Sequence, residues 1–481
     1  MKYIIRLSPE ITIKSTHVRK KAIKLLNKNI KSVLKYNEIL DYTIKYSWDR
    51  IDLKLHDEKN KEKLEKIVWN TFGISNYFLV EEFDFINIDD IYKNIKDNFL
   101  NLIENSTFCV RVKRSWTHSF SSTDLEKQLW AYFLKDSKNT KVNLKTPLVK
   151  IEIQIKDNKV FLIKKSFRWR WWFPTWFQNK VLSLISWWFD SSVSSYMMMK
   201  RWVKMDFLFF NLWWDAHELW VKQVAYYLWS NFWIWYNSKF ISIDLSKLIW
   251  EFMTKITPRY RWVLLKRYML KIASNISHNY QYALVKWDSL WQVSSQTLEN
   301  IHLINKASST VVLRPLIWFD KEDIISIAKD IWTYNFSCSM PEYCWIISDN
   351  PATSAKEDSV LLEESKIDEN IISEILSNIK LEKLKNILEF KKDIDDIEIV
   401  DKIQKDEVII DLRESDKIQK NPLKIENTKV IEIPFYEINY KFEKLDQNTN
   451  YLFYCDKWVL SKLHWLYLKD KWFNNIKIYR Q

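Results

Sequence analysis

Apolar positions along the chain change their period repeatedly, and each change of period marks an element. Lys2-Tyr3-Ile4-Ile5-Arg6-Leu7 reads as a strand. Val18, Ala22, Leu25, Leu26, Ile30 and Val33 then recur at helical spacing, which predicts a basic helix from about Thr16 to Leu34. A strand near Arg50 to Leu55, a helix near Lys61 to Val68 and a strand near Tyr77 to Glu81 follow, giving the β-α-β-β-α-β rhythm of a small split βαβ unit. A second small unit runs from about residue 75 to 165. It holds a helix near Ile88 to Leu102, a strand from Thr107 to Arg114, and a hairpin closed by Lys156-Asp157-Asn158.

Between about 178 and 345, strands alternate with helices. The candidate strands are Val181 to Ile185, Lys204 to Asn211, Lys239 to Asp244 and Tyr282 to Lys286. That alternation predicts a doubly wound α/β domain, whose ligands sit beyond the carboxyl ends of the strands. Residues 352 to about 400, rich in Glu, Lys, Asp, Ile and Leu, read as a charged helical linker. Short strands near Glu407, Val430, Leu452 and Ile476 predict a compact α/β end domain. The expected divisions are 1–74, 75–165, 166–350, 351–400 and 401–481.

Composition changes how these elements are read. The chain has 481 residues, 27 Trp and a single Gly. An ordinary glycine content would supply roughly 34. Trp pairs recur where Gly-Gly would make loops, at Trp171-Trp172, Trp187-Trp188 and Trp213-Trp214, and the run Phe167 to Phe177 would be an ordinary connector if its Trp were Gly. The economical reading is that most tryptophans stand where the natural protein has glycine, as when a UGA codon meaning glycine is translated as tryptophan. Trp48 and Trp229 are read as genuine.

Lys and Arg number 74 against 61 acidic residues, a net charge of +13 that favours a polyanionic partner, nucleic acid ahead of a membrane. Arg111, Lys113 and Arg114 lie on one predicted strand and are candidates to meet phosphates. Four scattered Cys do not make a secreted disulfide framework, and without a CxxC a structural zinc site is not expected. No metal-ligating cluster is predicted. MKYIIRLSPE carries no signal-peptide core, and the apolar stretch Met205 to Tyr236 is interrupted by charges, so the expected location is the cytoplasm.

The stretch LISWWFDSS, Leu184 to Ser192, has the form of a strand ending in a phosphate loop. Such a loop holds phosphate with backbone N–H groups and a helix N-terminus, and it needs glycine where the backbone and ligand approach closely. Read with Gly it becomes LISGGFDSS, which resembles the SGGxDS loop of PP-loop ATP pyrophosphatases. PEITIKS, FCVRVKRSW, FFNLWWDAHELW, KWDSLWQVSSQTLENI, RPLIWFDKEDII and MPEYCWIIS all resemble the tRNA 4-thiouridine synthase family, over essentially the whole chain.

That resemblance implies a multidomain α/β and α+β protein. Its parts would be an N-terminal ferredoxin-like domain, a THUMP RNA-binding domain, a PP-loop adenylation domain and a C-terminal rhodanese-like domain. It implies ATP and Mg²⁺ as cofactors, tRNA as partner, a cysteine desulfurase as persulfide donor and a reductant. Asp190 and Lys321 match adenylation residues. Leu184, Ile185, Ser186, Trp187, Trp188, Ser191, Phe209, Phe210, Lys266, Trp287 and Gln296 match nucleotide-binding positions. Tyr454 to Ser461 resembles a rhodanese active loop, CxxGxxS, with Asp411-Leu412-Arg413 as the DxR signature. In the family, Cys455 would carry the persulfide, and Cys344 would form a disulfide with it. Cys109 and Cys338 are read as core residues, and His217 receives no role. Asp288 stands where the family usually has Glu. Two other readings stay open: an RNA-binding protein with a dead ATP site if the tryptophans are literal, and a sulfur carrier for the thiamine thiazole.

Overall fold

The computed structural model describes the chain apart from residues 116–117, 119, 169–179, 213–214, 281, 339–349, 388–397, 405, 414–417, 420, 424, 426–427, 435–436, 456–460, 462–463, 466–467, 470–472 and 481. It divides into two compact units, Met1–Pro174 and Thr175–Gln481.

The first unit contains β1 (Lys2–Leu7), α1 (Pro9–Thr12), α2 (Thr16–Tyr36), β2 (Tyr42–Tyr46), β3 (Arg50–Leu55), α3 (Lys61–Trp69) and β4 (Ile74–Asp84). It continues with α4 (Ile88–Ile103), β5 (Thr107–Ser115), α5 (Ser122–Asp136), β6 (Lys141–Val142), β7 (Val149–Lys156) and β8 (Lys159–Arg168). The apolar stripe of α2 buries Ala22, Ile23, Leu26, Ile30 and Leu34. Asn87 and Ser121 begin α4 and α5 with reciprocal capping boxes, which satisfy N–H groups the helices cannot pair internally. Those two helices cover Phe108, Val110, Ile151 and Ile153. All eight strands form one sheet, ordered β2-β3-β1-β4-β8-β7-β5-β6. β4 pairs antiparallel with β1 on one side and β8 on the other, so both small units expected from the sequence share one ladder.

The second unit opens with β9 (Val181–Ile185), α6 (Phe189–Lys200), β10 (Met205–Asn211), α7 (Asp215–Leu228), β11 (Lys239–Asp244), α8 (Ser246–Lys255) and α9 (Arg261–Tyr280). Then come β12 (Ala283–Val285), α10 (Leu298–Asn305), β13 (Val312–Leu313), α11 (Lys321–Asp330), α12 (Tyr334–Cys338), α13 (Glu357–Glu364), α14 (Ile371–Ser377) and β14 (Lys380–Lys383). The sheet order is β13-β12-β9-β10-β11-β14, parallel except for β14. Its strands are buried on both faces, which is why they read as near-continuous apolar runs. The chain winds outward from β9 through β10 and β11, then returns to β9's other side with β12. Between β9 and β12 the winding reverses, and a crevice opens at the carboxyl ends.

The segment expected to be a helical linker differs from that reading. Val360, Ile367, Ile371 and Ile375 join the core of the α/β layer, and β14 adds antiparallel to the edge strand β11. Val360 points inward from α13, Ile371 and Ile375 lie one turn apart on α14, and Ile367 is buried in the connection between them; burying these side chains outweighs the cost of ordering the segment. The last strands are β15 (Ile399–Val400), β16 (Glu407–Asp411), β17 (Val430–Glu432), β18 (Asn450–Tyr454) and β19 (Ile476–Tyr479). They form an all-parallel sheet, ordered β15-β19-β18-β16-β17.

Backbone geometry bears on the tryptophans. The single glycine, Gly73, has φ of 95°, and Trp202, Trp291 and Trp332 have φ of 58°, 65° and 62°. Positive φ crowds a β-carbon against the following carbonyl and is a genuine outlier for a bulky residue. Trp332 follows the C-cap of α11; its N–H donates to Lys329 O at 3.1 Å, and Thr333 N–H donates to Ala328 O at 2.9 Å. That pair of bonds is the helix ending usually built on glycine. Trp202 occupies the same position after α6, donating to Met199 O at 2.8 Å.

Candidate active site

The loop after β9 turns directly into α6, with Trp188 as the residue that begins the helix. Ser191 ties the turn together: Ser186 N–H donates to its Oγ at 3.0 Å, and its hydroxyl donates to Ser186 O at 2.8 Å. Asp190 lies in the first turn of α6, where the helix dipole favours a carboxylate, and it is buried. Two long-range partners reach it. Lys321, the first residue of α11, places Nζ 3.2 Å from Oδ2, and Gln292 donates Nε2–H to Oδ1 at 3.2 Å. The structure thus joins the two residues assigned to adenylation and adds Gln292, which sequence reasoning missed. A glutamine in a loop carries no periodic signal; only its place within the KWDSLWQ motif could have drawn attention.

The other positions expected from the sequence to meet the nucleotide are placed as follows. Leu184 and Ile185 are buried within β9, and Phe209 and Phe210 are buried in β10, with Phe209 in register with Ile185. These four are walls, so only their backbones are available for hydrogen bonding. Gln296 is buried in the turn Ser294–Gln296, and Trp287 packs partly buried against the core. Lys266, from α9, pairs with Asp288 at 3.6 Å. Burial alone would raise the Asp288 carboxyl; Lys286, Lys266 and Arg314 overcome that and hold it well below the usual carboxylate range. Burial also pulls the Lys286 ammonium down to about 7, against the attraction of Asp288.

With indoles at 187 and 188 the loop does not fit a polyphosphate. The two rings stack with centroids 4.3 Å apart, and Trp187 is buried. Lys321 Nζ lies 5.6 Å from the Trp188 ring and 4.2 Å from that of Phe189, so aromatic carbon occupies the approach to the only cation paired with Asp190 among the described residues. Glycine at both positions would remove both indoles and leave backbone N–H groups at the start of α6.

Cys455 is buried immediately after β18, and Ser461 donates its hydroxyl to Sγ at 2.9 Å. Across the ladder, Asp411 pairs with Tyr454, and Leu412 N–H donates to Tyr454 O at 2.8 Å. Arg413 grips Asp411 with two bonds, Nε to Oδ1 at 2.9 Å and Nη2 to Oδ2 at 2.6 Å, and lies 5.2 Å over the Tyr454 ring. The cysteine and the Asp-Leu-Arg turn therefore meet at the carboxyl ends of adjacent strands, where this sheet too reverses its winding. Cys344 and the loop 456–460 lie outside the described residues, as does the expected pairing of Cys344 with Cys455. Cys109 is a buried core residue of β5, and burial pushes its thiol up, which suits no reactive role.

The basic strand is less uniform than its sequence suggests. Arg111 and Lys113 share one face of β5, whereas Arg114 falls on the opposite parity, that of the buried Val110 and Val112. Arg111 is engaged by Leu144 O at 2.8 Å and Glu126 at 3.7 Å, while Lys113 is exposed. Among the described residues, no group of three or more His, Cys, Asp or Glu side chains is arranged to hold a metal, and no helix is long and apolar enough to cross a membrane.

Comparison with known proteins places these features. Residues 2–77 match the ThiI ferredoxin-like domain, 86–163 the THUMP domain and 176–369 the family described as Thiamine biosynthesis protein (ThiI). The chain is 39% identical over 483 aligned residues to the tRNA sulfurtransferases of Shigella boydii serotype 4 (strain Sb227) and Escherichia coli O8 (strain IAI1), covering 100% of each chain. Its fold is similar to that of a 4-thiouridine synthetase solved with RNA and bound ATP (TM-score 0.67, 22% identity, 79% of this chain and 98% of that one). It is also similar to PH1313 from Pyrococcus horikoshii Ot3 (TM-score 0.51, 16% identity, 69% of this chain and 100% of that one).

Proposed function

The chain belongs to the tRNA sulfurtransferase family of enzymes, and from that premise we propose that it replaces O4 of uridine 8 in tRNA with sulfur, using ATP. The observation that carries this reading is the joining of Asp190, Lys321 and Gln292 at the start of α6, in the crevice where the α/β sheet reverses. ATP would adenylate O4 and make it a leaving group, with Mg²⁺ neutralising phosphate charge beside Asp190. Lys321 is placed to stabilise charge developing on the transferred phosphate.

Sulfur delivery would belong to the end domain, which we read as rhodanese-like from its parallel sheet and the meeting of Cys455 with Asp411 and Arg413. A Cys455 persulfide, charged by a cysteine desulfurase, attacks C4 with its terminal sulfur, and AMP leaves. A Cys344 thiolate then attacks the Cys455 sulfur. The S–S bond to the base breaks, 4-thiouridine is released, and the Cys344–Cys455 disulfide is reopened by a reductant. Such thiol exchange suits the cytoplasm. The first unit would hold tRNA by shape and phosphate contacts, with Lys113 exposed for that purpose. The same persulfide could serve thiazole formation.

This reading requires glycine at 187 and 188; positive φ at Trp202, Trp291 and Trp332 supports glycine at those three positions. The peptide covering residues 181–200, taken from protein made in the source organism, tests that by mass. Glycine masses give a working phosphate loop; tryptophan masses leave an RNA-binding protein with a closed ATP site. The activity is tested by incubating tRNA with the enzyme, ATP, desulfurase and cysteine and reading near-ultraviolet absorbance. Glycine-bearing enzyme that leaves tRNA unthiolated refutes the proposal.

A further inference from the structure

We propose that Asp288 is a positioning residue that gathers Lys286, Arg314 and Lys266 into a pocket for the pyrophosphate portion of the nucleotide. This rests on the ATP-dependent reading above and gives its phosphates a second set of partners, across the crevice from Asp190 and Lys321.

The register places the pocket. Val285 pairs with Leu313 on one side and Ser183 on the other, and Lys286 N–H donates to Leu313 O at 2.9 Å. Lys286 and Arg314 therefore leave adjacent strands at one level, beside the strand that runs into Ser186. Asp288 Oδ2 is shared by Lys286 Nζ at 3.1 Å and Arg314 Nε at 3.0 Å, while Lys266 Nζ approaches Oδ1 at 3.6 Å. The side chains of Lys286 and Asp288 are each 1% exposed. Gln292, four residues further along the same loop, links it to Asp190.

Charge and hydrogen bonding both point to an anion. Among the described residues, Asp288 is the only carboxylate within ion-pair distance of Lys286 or Arg314. A tether for the loop needs one cation; Lys286 and Arg314 together on one carboxylate leave positive charge in a desolvated place, which is costly without a further counter-charge. Arg314 uses Nε on Asp288 and Nη1 on Asn305 at 3.1 Å, but its Nη2 is buried with no hydrogen-bond partner. Lys286 Nζ is likewise buried, with its ion pair to Asp288 and no well-aligned acceptor. Buried donors of this kind call for an acceptor, and a planar guanidinium beside ammonium groups suits phosphate oxygens. Asp288 reduces repulsion among the cations, so they can be held together before the phosphates arrive.

The test uses the full-length chain with Trp187→Gly and Trp188→Gly, and calorimetric titration with inorganic pyrophosphate and, separately, AMP. Arg314→Gln and Lys286→Gln are expected to weaken pyrophosphate binding about tenfold to a hundredfold, the scale of one lost charge-assisted hydrogen bond, with AMP affinity retained. Asp288→Asn should weaken pyrophosphate similarly and Asp288→Glu restore it, each variant being checked by thermal melting. If at least one of the two cation variants folds and binds pyrophosphate as the parent does, the proposal is overturned. It is also overturned if AMP and pyrophosphate binding fall together, since the trio then only holds the loop. A parent that thiolates tRNA alongside unaffected variants sinks this inference alone; a parent that neither binds nor thiolates removes the reading beneath it as well.

Discussion

Replacing Trp291 and Trp332 by glycine should make the protein more stable, the reverse of what removing a large aromatic side chain ordinarily does. Both have positive φ, and they are 73% and 44% exposed, so their indoles give up limited contact on removal. Holding a β-carbon in that region costs about 1–2 kcal/mol per residue. Glycine returns about 0.5–1 kcal/mol of that through its greater unfolded-state freedom. The net gain is about 0.5–1 kcal/mol per site, or about 1–2 kcal/mol for the double variant, which corresponds to a rise of about 1.5–3 °C in melting temperature for a unit as long as Thr175–Gln481. Trp318 is the control: it is 90% exposed and is not among the positive-φ residues. Trp318→Gly should lose about 0.5–1 kcal/mol from the entropic term alone. Thermal unfolding of the full chain, followed by far-ultraviolet circular dichroism, compares the three variants directly. If Trp291→Gly and Trp332→Gly lower the melting point as much as Trp318→Gly does, the backbone argument for glycine at these positions is wrong.

Lys321→Met should lower the single-turnover rate of thiolation on the order of a hundredfold, because its ammonium acts on developing charge, and should also lower the melting point slightly by leaving the buried Asp190 carboxylate without its cation. Unchanged turnover would remove Lys321 from the chemistry. Cys455→Ala should stop thiolation from a desulfurase donor while pyrophosphate release from ATP continues; thiolation that persists would refute the persulfide route. Burial lowers the His464 imidazole to about 3, so across the interval from 6.5 down to 3 the unfolded chain binds a proton that the folded chain refuses. Stability is full above 6.5 and falls by about 1.4 kcal/mol per pH unit as the solution is acidified through that interval. His464→Leu should flatten the dependence, and an identical acid profile in that variant would show that another group controls it.

Elements with strong periodicity were legible in the sequence. β9, β11 and the helix α4 fall where their apolar positions put them, because burial on both strand faces, or on one helix stripe, leaves a regular trace. β2 was missed: it is an edge strand with little buried surface, so nothing selects for an apolar pattern. The segment after Pro351 misled for another reason. Its charges dominate the composition, while the apolar residues that seat it in the core are few and scattered: Val360 in α13, Ile367 in the connection, Ile371 and Ile375 in α14. At the site, the loop sequence pointed to Asp190 and the motif around Lys321 to its partner. Gln292 and the Lys286–Asp288–Arg314 trio were not legible, since their meeting depends on which strands lie side by side.

The shared strand β4 has a mechanical consequence. Its residues from Ile74 to Val80 pair with β1 on one edge and those from Asn76 to Asp84 with β8 on the other, so the two ladders overlap over Asn76–Val80 and leave no place there for a hinge. Eight strands spaced about 4.8 Å apart make a ruler about 34 Å wide, whose graduations are fixed by backbone bonds and do not depend on any linker. A polyanion laid across it would be compared with a standard that cannot stretch.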